Sequence, residues 1–252
     1  AKMKVTVLMS LIMVMLIVSL TANALSPNDK ACLLYLSCNA ITSGIVADSS
    51  PTKNNGTVVG TVTITAGKFG QALSFTEAGE VKCGYVPLNN KSFTICMWIN
   101  PKLAGGAEQC VFSQMDANAT NTSMHFRMYS ANGTARMGFY GNDLDALNAL
   151  KANTWVHLAF YLDVAGKTRR IYVDGKQAGQ DAGLVGIEYL GKKGDTMIGS
   201  WGTTGQKFNG LIDEVQIWDK ALTAAEIAES MGNMTTSVSR AGKLTTTWGE
   251  IK

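Results

Sequence analysis

The chain has 252 residues, 22 of them Lys or Arg and 19 Asp or Glu, with 26 glycines, four prolines and five cysteines. Setting aside Lys2 and Lys4, the remainder carries 20 basic against 19 acidic residues, so bulk charge recruits neither nucleic acid nor an anionic surface. The length suffices for one well-buried domain.

In chain order, Lys2 and Lys4 precede an apolar run from Val5 to Leu20 that ends in Ala22, Asn23 and Ala24. A basic start, a short apolar stretch and small residues are the pattern of a secretory leader, residues 1–24. The segment bears on a membrane only if it stays uncleaved. All five cysteines, Cys32, Cys38, Cys83, Cys96 and Cys110, follow it. Their odd number leaves at least one thiol unpaired. On an extended run Cys32 and Cys38 stand about 20 Å apart, too far to bridge, and read as small buried hydrophobes.

Short alternating runs separated by Gly, Asn, Asp and Ser predict an all-β domain over 25–232. The expected strands are Ala31–Leu36, Gln71–Phe75, Phe93–Ile99, Gln109–Gln114, His125–Tyr129, Arg136–Tyr140, Trp155–Asp163, Arg169–Val173, Thr196–Gly199 and Leu211–Trp218. Asn132-Gly133 and Asp174-Gly175 mark hairpins. A helix is expected over Thr223–Met231, with Thr223 and Glu226 forming a capping box and Gly232 as its stop. Without strand and helix alternation the architecture expected is a jelly-roll-like sandwich of two antiparallel sheets with a short C-terminal helix. Residues 233–252 form a Thr- and Ser-rich tail. Sequons begin at Asn55, Asn118, Asn121, Asn132 and Asn233, and read as coincidence in so Ser-, Thr- and Asn-rich a chain.

Along the last strand, alternation places Asp213 with Leu211, Val215 and Ile217. A carboxylate in an apolar row needs backbone donors, an ion pair or a metal, and calcium is the extracellular candidate. The loop Asp48–Thr57 is rich in the oxygens such an ion takes.

The run Phe208–Ile227, containing Gly-Leu-Ile-Asp-Glu-Val-Gln-Ile-Trp, resembles the closing signature of bacterial laminin-G-like domains in the concanavalin A-like lectin/glucanase superfamily. Asp48–Thr57, Gly67–Phe75, Phe93–Trp98, Trp155–His157 and Ile171–Gly175 match it in order, so the resemblance spans residues 31–231. It implies a calcium ion shared by Asp48, Asn54 and Asp213. The loop departs from the pattern, with Pro51, Thr52 and Lys53 where the family has Gly-Asn-Gly, and a lysine there opposes a cation.

Glucanases of this superfamily carry Glu-x-Asp-x-x-Glu, which is absent here. Asp143 and Asp145 have the spacing of a carboxylate pair but sit among Gly and Asn and read as a solvated turn. His125 and His157 lie in no catalytic motif, and His157 falls on a face with Trp155, Ala159 and Tyr161, directed to solvent or an outer groove. The chain is therefore read as non-catalytic. The aromatics Trp98, Trp155, Tyr161, Tyr172 and Trp218 fall opposite the apolar rows and could stack on sugars; the alternative is that they pack beneath the helix, which suits Trp218 best. Trp98, Trp155 and Tyr161, with Trp201 in the Gly-rich Ser200–Gln206 loop, are the expected ligand-binding residues. The functional expectation is a secreted or cell-surface module for glycans or another extracellular polymer. Its rival is a coat or fibre subunit that self-assembles through the tail or a sheet edge.

Overall fold

The computed structural model describes residues 24–103, 108–183, 185–202 and 206–234. The leader, apart from Ala24, and the tail beyond Met234 lie outside them. In chain order the strands are β1 (Cys32–Leu36), β2 (Ile45–Val46), β3 (Gly56–Ala66), β4 (Gln71–Cys83), β5 (Phe93–Pro101), β6 (Glu108–Met115) and β7 (Ser123–Tyr129). They continue with β8 (Thr134–Gly138), β9 (Asp143–Ala146), β10 (Val156–Asp163), β11 (Thr168–Val173), β12 (Lys176–Ala182), β13 (Thr196–Ile198) and β14 (Asn209–Trp218), before the helix α1 (Ala224–Ser230). No helix among the described residues is long and apolar enough to cross a membrane.

The chain is almost all β, as expected, but its hydrogen bonding does not divide into two sheets. One antiparallel path runs β12-β11-β10-β5-β14-β4-β13-β6-β7-β8-β9, with β1 on β14, β3 on β4 and β2 on β3. The physical reason is β4. Its first part pairs with β14 (Leu73 opposite Ile212) and its last with β13 (Val81 opposite Ile198), so the ladder turns a corner without a break. Glu77, at φ 66°, and the register slip opposite it between Gly60 and Val62 mark that corner. The bent sheet nearly closes where β9 meets β12: a Cβ on Gly179 would stand 3.0 Å from the Asp145 carbonyl. Four strands escape the sequence pattern, of which β2 is only two residues long. β12 buries no residue, β3 buries only Gly56 and Val62, and β9 had the composition of a turn.

The core lies inside the bend. Phe93, Ile95, Met97 and Ile99 of β5 and Leu158, Phe160 and Leu162 of β10 face Phe112, Phe126, Met128 and Met137. Phe126 stacks on Phe160 at 4.2 Å and so ties the two arms together. A second apolar layer covers the outside of β5, β10, β11 and β14, where Cys96, Ala159, Tyr161, Tyr172 and Trp218 pack with Tyr35, Leu222, Ile227 and Met234. The helix is the lid of this layer, and its capping box forms as expected, with Glu226 N donating to Thr223 Oγ1 and Thr223 N to Glu226 Oε2.

This layer corrects the reading of His157 as directed to solvent. The histidine is fully buried, its Nε2 lies 3.4 Å from Ser230 Oγ, and burial pushes its pKa down to about 3. The parity of β14 changes as well. A bulge between Asp213 and Gln216, with Glu214 at φ 53°, returns Val215 and Ile217 to the core side of Ile212 and sends Asp213, Gln216 and Trp218 to the other. All five cysteines are free, buried thiols.

Glu214 is fully buried, accepts from Tyr35 Oη at 2.7 Å, and leaves Oε1 without a partner among the described residues. Burial, with Asp213 beside it, pushes its pKa up to about 7. A carboxyl raised in the folded state keeps its proton where the unfolded chain loses it, so stability is full at low pH and falls as pH rises toward 7. Glu214→Gln should therefore raise the Tm at pH 8, by an amount on the order of 2 kcal/mol in stability, with the gain vanishing near pH 4. Calorimetry at the two pH values checks this, and a lower Tm at pH 8 contradicts it.

Candidate functional site

The outer face of β6 to β9 has no apolar cover of this kind. Alternation sends Met124, Phe126 and Met128 of β7, Ala135 and Met137 of β8, and Leu144 and Ala146 of β9 to the core. The intervening residues form cross-strand rows on the other side: His125, Gly138 and Asp143 in one, Arg127, Arg136 and Asp145 in the next. Two arginines directly opposite one another repel, and carboxylates resolve the conflict. Arg136 forks onto Asp145 with Nε and Nη2 at 2.7 and 2.8 Å and reaches Asp143 Oδ2 with Nη1 at 2.9 Å. Arg127 Nη1 donates to Glu108 Oε2, which also accepts from Gln206 Nε2 at 2.9 Å, and Arg127 Nη2 stands 3.8 Å from Asp143.

Beside the charges lies a ring stack. The His125 ring rests over Gly138, where a Cβ would come within 2.0 Å of Cε1, so this strand position requires glycine. Trp201 packs on His125 with centroids 4.4 Å apart, carries the Arg127 guanidinium 5.0 Å from its ring centre, and donates from Nε1 to Ser123 Oγ at 3.2 Å. His125 Nε2 accepts the Tyr140 amide at 3.3 Å, which assigns the proton of the neutral ring to Nδ1. Burial, then Arg127 and Arg136, push its pKa down to about 3, so the ring stays neutral near pH 7. His125 Nδ1 and Arg127 Nε are buried without a partner among the described residues. The charged tips stay open: the side chains of Asp143, Arg136, Asp145 and Glu108 are 21, 23, 31 and 31 % exposed. Tyr140, on the β8 to β9 turn, is exposed at the rim.

Of the four aromatics expected to bind ligand, only Trp201 belongs to this face, where it is itself buried at 9 % exposure and backs the charge rows. Trp98 is 5 % exposed, donates from Nε1 to the Met231 carbonyl at 3.2 Å, and lies under the Lys68 ammonium at 4.0 Å. Tyr161 is buried in the outer layer against Tyr172. Their opposite parity arises from that layer, which α1 closes, and not from an exposed platform. Trp155 is half-buried just ahead of β10. Asp143 and Asp145 are on strand β9 instead of a solvated turn, held by Arg136. Arg127, Arg136, Glu108 and Tyr140 were not among the site residues expected from the sequence; the signal that points to the two arginines is the alternation His-x-Arg-x-Tyr in β7 facing Arg-x-Gly in β8.

The three residues expected to share calcium are each satisfied by protein partners, Asp48 and Asn54 within one loop and Asp213 apart from them. Asp48 Oδ1 accepts from the amides of Tyr35 and Ser50 at 2.9 and 2.8 Å, and Oδ2 from Ser50 Oγ, Thr52 Oγ1 and Asn54 N at 2.8, 3.0 and 2.8 Å. The Asn54 side chain instead exchanges two hydrogen bonds with Gly84. Asp213 accepts from Phe69 N at 3.0 Å and Glu214 N at 2.9 Å. The Asp48 and Asp213 carboxylates are thus satisfied by protein N–H and O–H donors, and no cluster of three or more His, Cys, Asp or Glu with metal-holding geometry is present among the described residues.

Comparison with known proteins supports the fold. A laminin-G-like sequence profile described as the concanavalin A-like lectin/glucanases superfamily matches residues 75–228. The neuronal pentraxin receptor of Homo sapiens is 29 % identical over 146 residues, 54 % of this chain but 28 % of the receptor, so the chain corresponds to a minor part of it. That relative is an animal protein and lends no support to the bacterial qualifier of the sequence resemblance. Domain 4 of AbnA, an extracellular GH43 arabinanase from Geobacillus stearothermophilus solved with arabinotriose, superposes with a TM-score of 0.61 at 19 % identity, covering 80 % of this chain and 98 % of that one. A structure of botulinum neurotoxin type C, whose cell entry depends on two ganglioside molecules, superposes with a TM-score of 0.57 at 15 % identity over 79 % of this chain and 50 % of that one. At these identities the likeness to the solved structures concerns the fold.

Two outcomes follow. Chelator treatment should leave the Tm within about 1 °C of its starting value, whereas a calcium-dependent rise of several degrees would show Asp48 exchanging its proton donors for metal. Gly138→Ala should displace His125 and Trp201, costing about 1–3 kcal/mol in denaturant unfolding and shifting the Trp201 emission; an unchanged spectrum and midpoint would contradict the stack.

Proposed function

Because the chain belongs to the concanavalin A-like lectin/glucanases superfamily, we propose that it is a non-catalytic module that recognises carbohydrate or a glycan-bearing receptor on the outer face of β6 to β9. The observation that carries this is the lattice of paired charges on that face, Glu108, Arg127, Arg136, Asp143 and Asp145, held partly open beside Trp201 and Tyr140. Ion-paired side chains with fixed geometry present donors and acceptors at set spacings, and they reach a guest without a large ordering cost. The relatives fit this reading, since one neighbouring domain was solved with arabinotriose and another protein depends on gangliosides. The module is proposed to act outside the cell, the setting of the arabinanase whose domain it resembles.

Hydrolysis has less behind it. A retaining glycosidase needs one carboxyl free to carry a proton and one free to attack, while Asp143 and Asp145 both bind the guanidinium of Arg136. The rival role as a coat or fibre subunit rests on the tail, nearly all of which lies outside the described residues, or on a sheet edge, for which no comparison offers an assembling relative.

A glycan array followed by calorimetric titration of the best hit tests the assignment. Arg136→Gln should weaken binding about tenfold or more with the fold retained by circular dichroism. Equal affinity in the variant would move the site elsewhere.

A further inference from the structure

A cleft of about 440 Å³, a volume suited to a small ligand, opens between β1, the loop that leaves β2 and the segment that follows β4. It shares no residue with the charge rows. Hydrogen bonds fix its walls: Thr52 Oγ1 donates to the Leu33 carbonyl at 2.7 Å, the Asn54 side chain exchanges bonds of 3.0 and 2.8 Å with Gly84, and the Val86 backbone exchanges two of 3.0 Å with the buried Gln114 amide. The cleft is therefore in place before a guest arrives, which lowers the ordering cost of filling it. Leu33, Val86 and Pro87 supply an apolar wall, and Lys53 is the one charged side chain of the lining.

Lys53 is exposed and forms no ion pair among the described residues; its Nζ donates to the Ser49 carbonyl at 3.2 Å, which leaves two of its three donors unused. The carboxylate of the same loop, Asp48, is 3 % exposed and enclosed by the amide and hydroxyl donors described above, so it presents no surface to a guest. Lys53 also has φ 53°, a backbone region that suits glycine or asparagine and that lysine seldom adopts. Local conformation thus does not account for a lysine at this position. We propose that the cleft is a binding site for a small ligand with one anionic group beside an apolar face, the anion on Lys53 and the apolar face on Leu33, Val86 and Pro87. Acidic sugar residues and small aliphatic carboxylates share that chemistry. The site stands independently of the assignment of carbohydrate recognition to β6 to β9.

The test is a series of amide nitrogen–proton NMR spectra of the full chain, recorded as glucuronate or hexanoate is added, with glucuronamide and hexanamide as their uncharged partners. At least one anion should shift the amides of Lys53, Asn54, Gly84 and Tyr85 and bind about tenfold more tightly than its neutral partner. The tighter of the two anions tells an acidic sugar from an aliphatic carboxylate as the source. Lys53→Asn keeps a residue that tolerates the left-handed backbone, so the fold should persist while the anion falls to within about twofold of its neutral partner. Equal affinity for charged and neutral partners in the wild type, or an advantage of the anion that survives in the variant, overturns the role of Lys53. Shifts that miss these amides, or no shift with any of the four compounds, overturn the site and leave the reading of β6 to β9 standing.

Discussion

The arm of the sheet formed by β5, β10, β11 and β14 is apolar on both faces, and much of the molecule answers that constraint. Its inner face meets the opposite arm through contacts such as Phe126 on Phe160. Its outer face carries Cys96, Ala159, Tyr161, Tyr172 and Trp218, large surfaces that water would penalise heavily. Tyr35 of β1, the segment from Leu222 to Met234 and the helix exist in the fold to cover them. Polar groups beneath that cover are brought along at a cost: Gln216, His157, Ser230 and Glu214 are all fully buried. The bulge at Glu214 is part of the same solution, because it keeps Val215 and Ile217 in the core while turning Trp218 toward the helix.

With one arm double-sided, the open charge rows lie on the other. The outer face of β6 to β9 is built on different rules, with charge rows in place of aromatic rows and side chains held by one another instead of by a lid. Arg127 and Arg136 stand directly opposite across β7 and β8, an arrangement that is stable only while carboxylates lie on both flanks. Removing a single member unbalances the rest, so the face behaves as a unit. The His125 and Trp201 stack walls one side of it, and Gly138 is the point where the sheet itself gives way to make that wall possible.

How much of this the sequence disclosed depends on how strongly burial marks each element. The strands that fill the core, β5, β10 and β14 among them, show their apolar rows openly, and the capping box of α1 is local enough to be read from Thr223 and Glu226 alone. β12 and β3 bury almost nothing and so left no pattern. The aromatic rows of β5 and β10 were visible, yet their opposite parity has two physical meanings, a platform or a second core layer, and only tertiary packing chooses between them. The site was hidden for a related reason. Asp143 and Asp145 look like a turn when seen alone, and become a guanidinium clamp only through their register with Arg136 one strand away. Strict alternation also misplaced Asp213, since a bulge of one residue reverses every side chain beyond it.

The division of labour between the two arms bears on how far likeness of fold reaches. Solved structures of 15 and 19 % identity superpose over about four fifths of the chain, and their described ligands include a small arabinan fragment in one case and gangliosides in the other. A scaffold that accommodates both does not choose between them. The apolar arm is constrained by its own burial and carries what such folds share. The rows on β6 to β9 are held by one another, and there the loss of one carboxylate, from three against two guanidiniums, takes the lattice from one net negative charge to neutral. On the reading proposed above, ligand choice rests with a few side chains, Glu108, Arg127, Arg136 and Asp143 foremost, which fold comparison does not see and which the register of four strands, β6 to β9, places together.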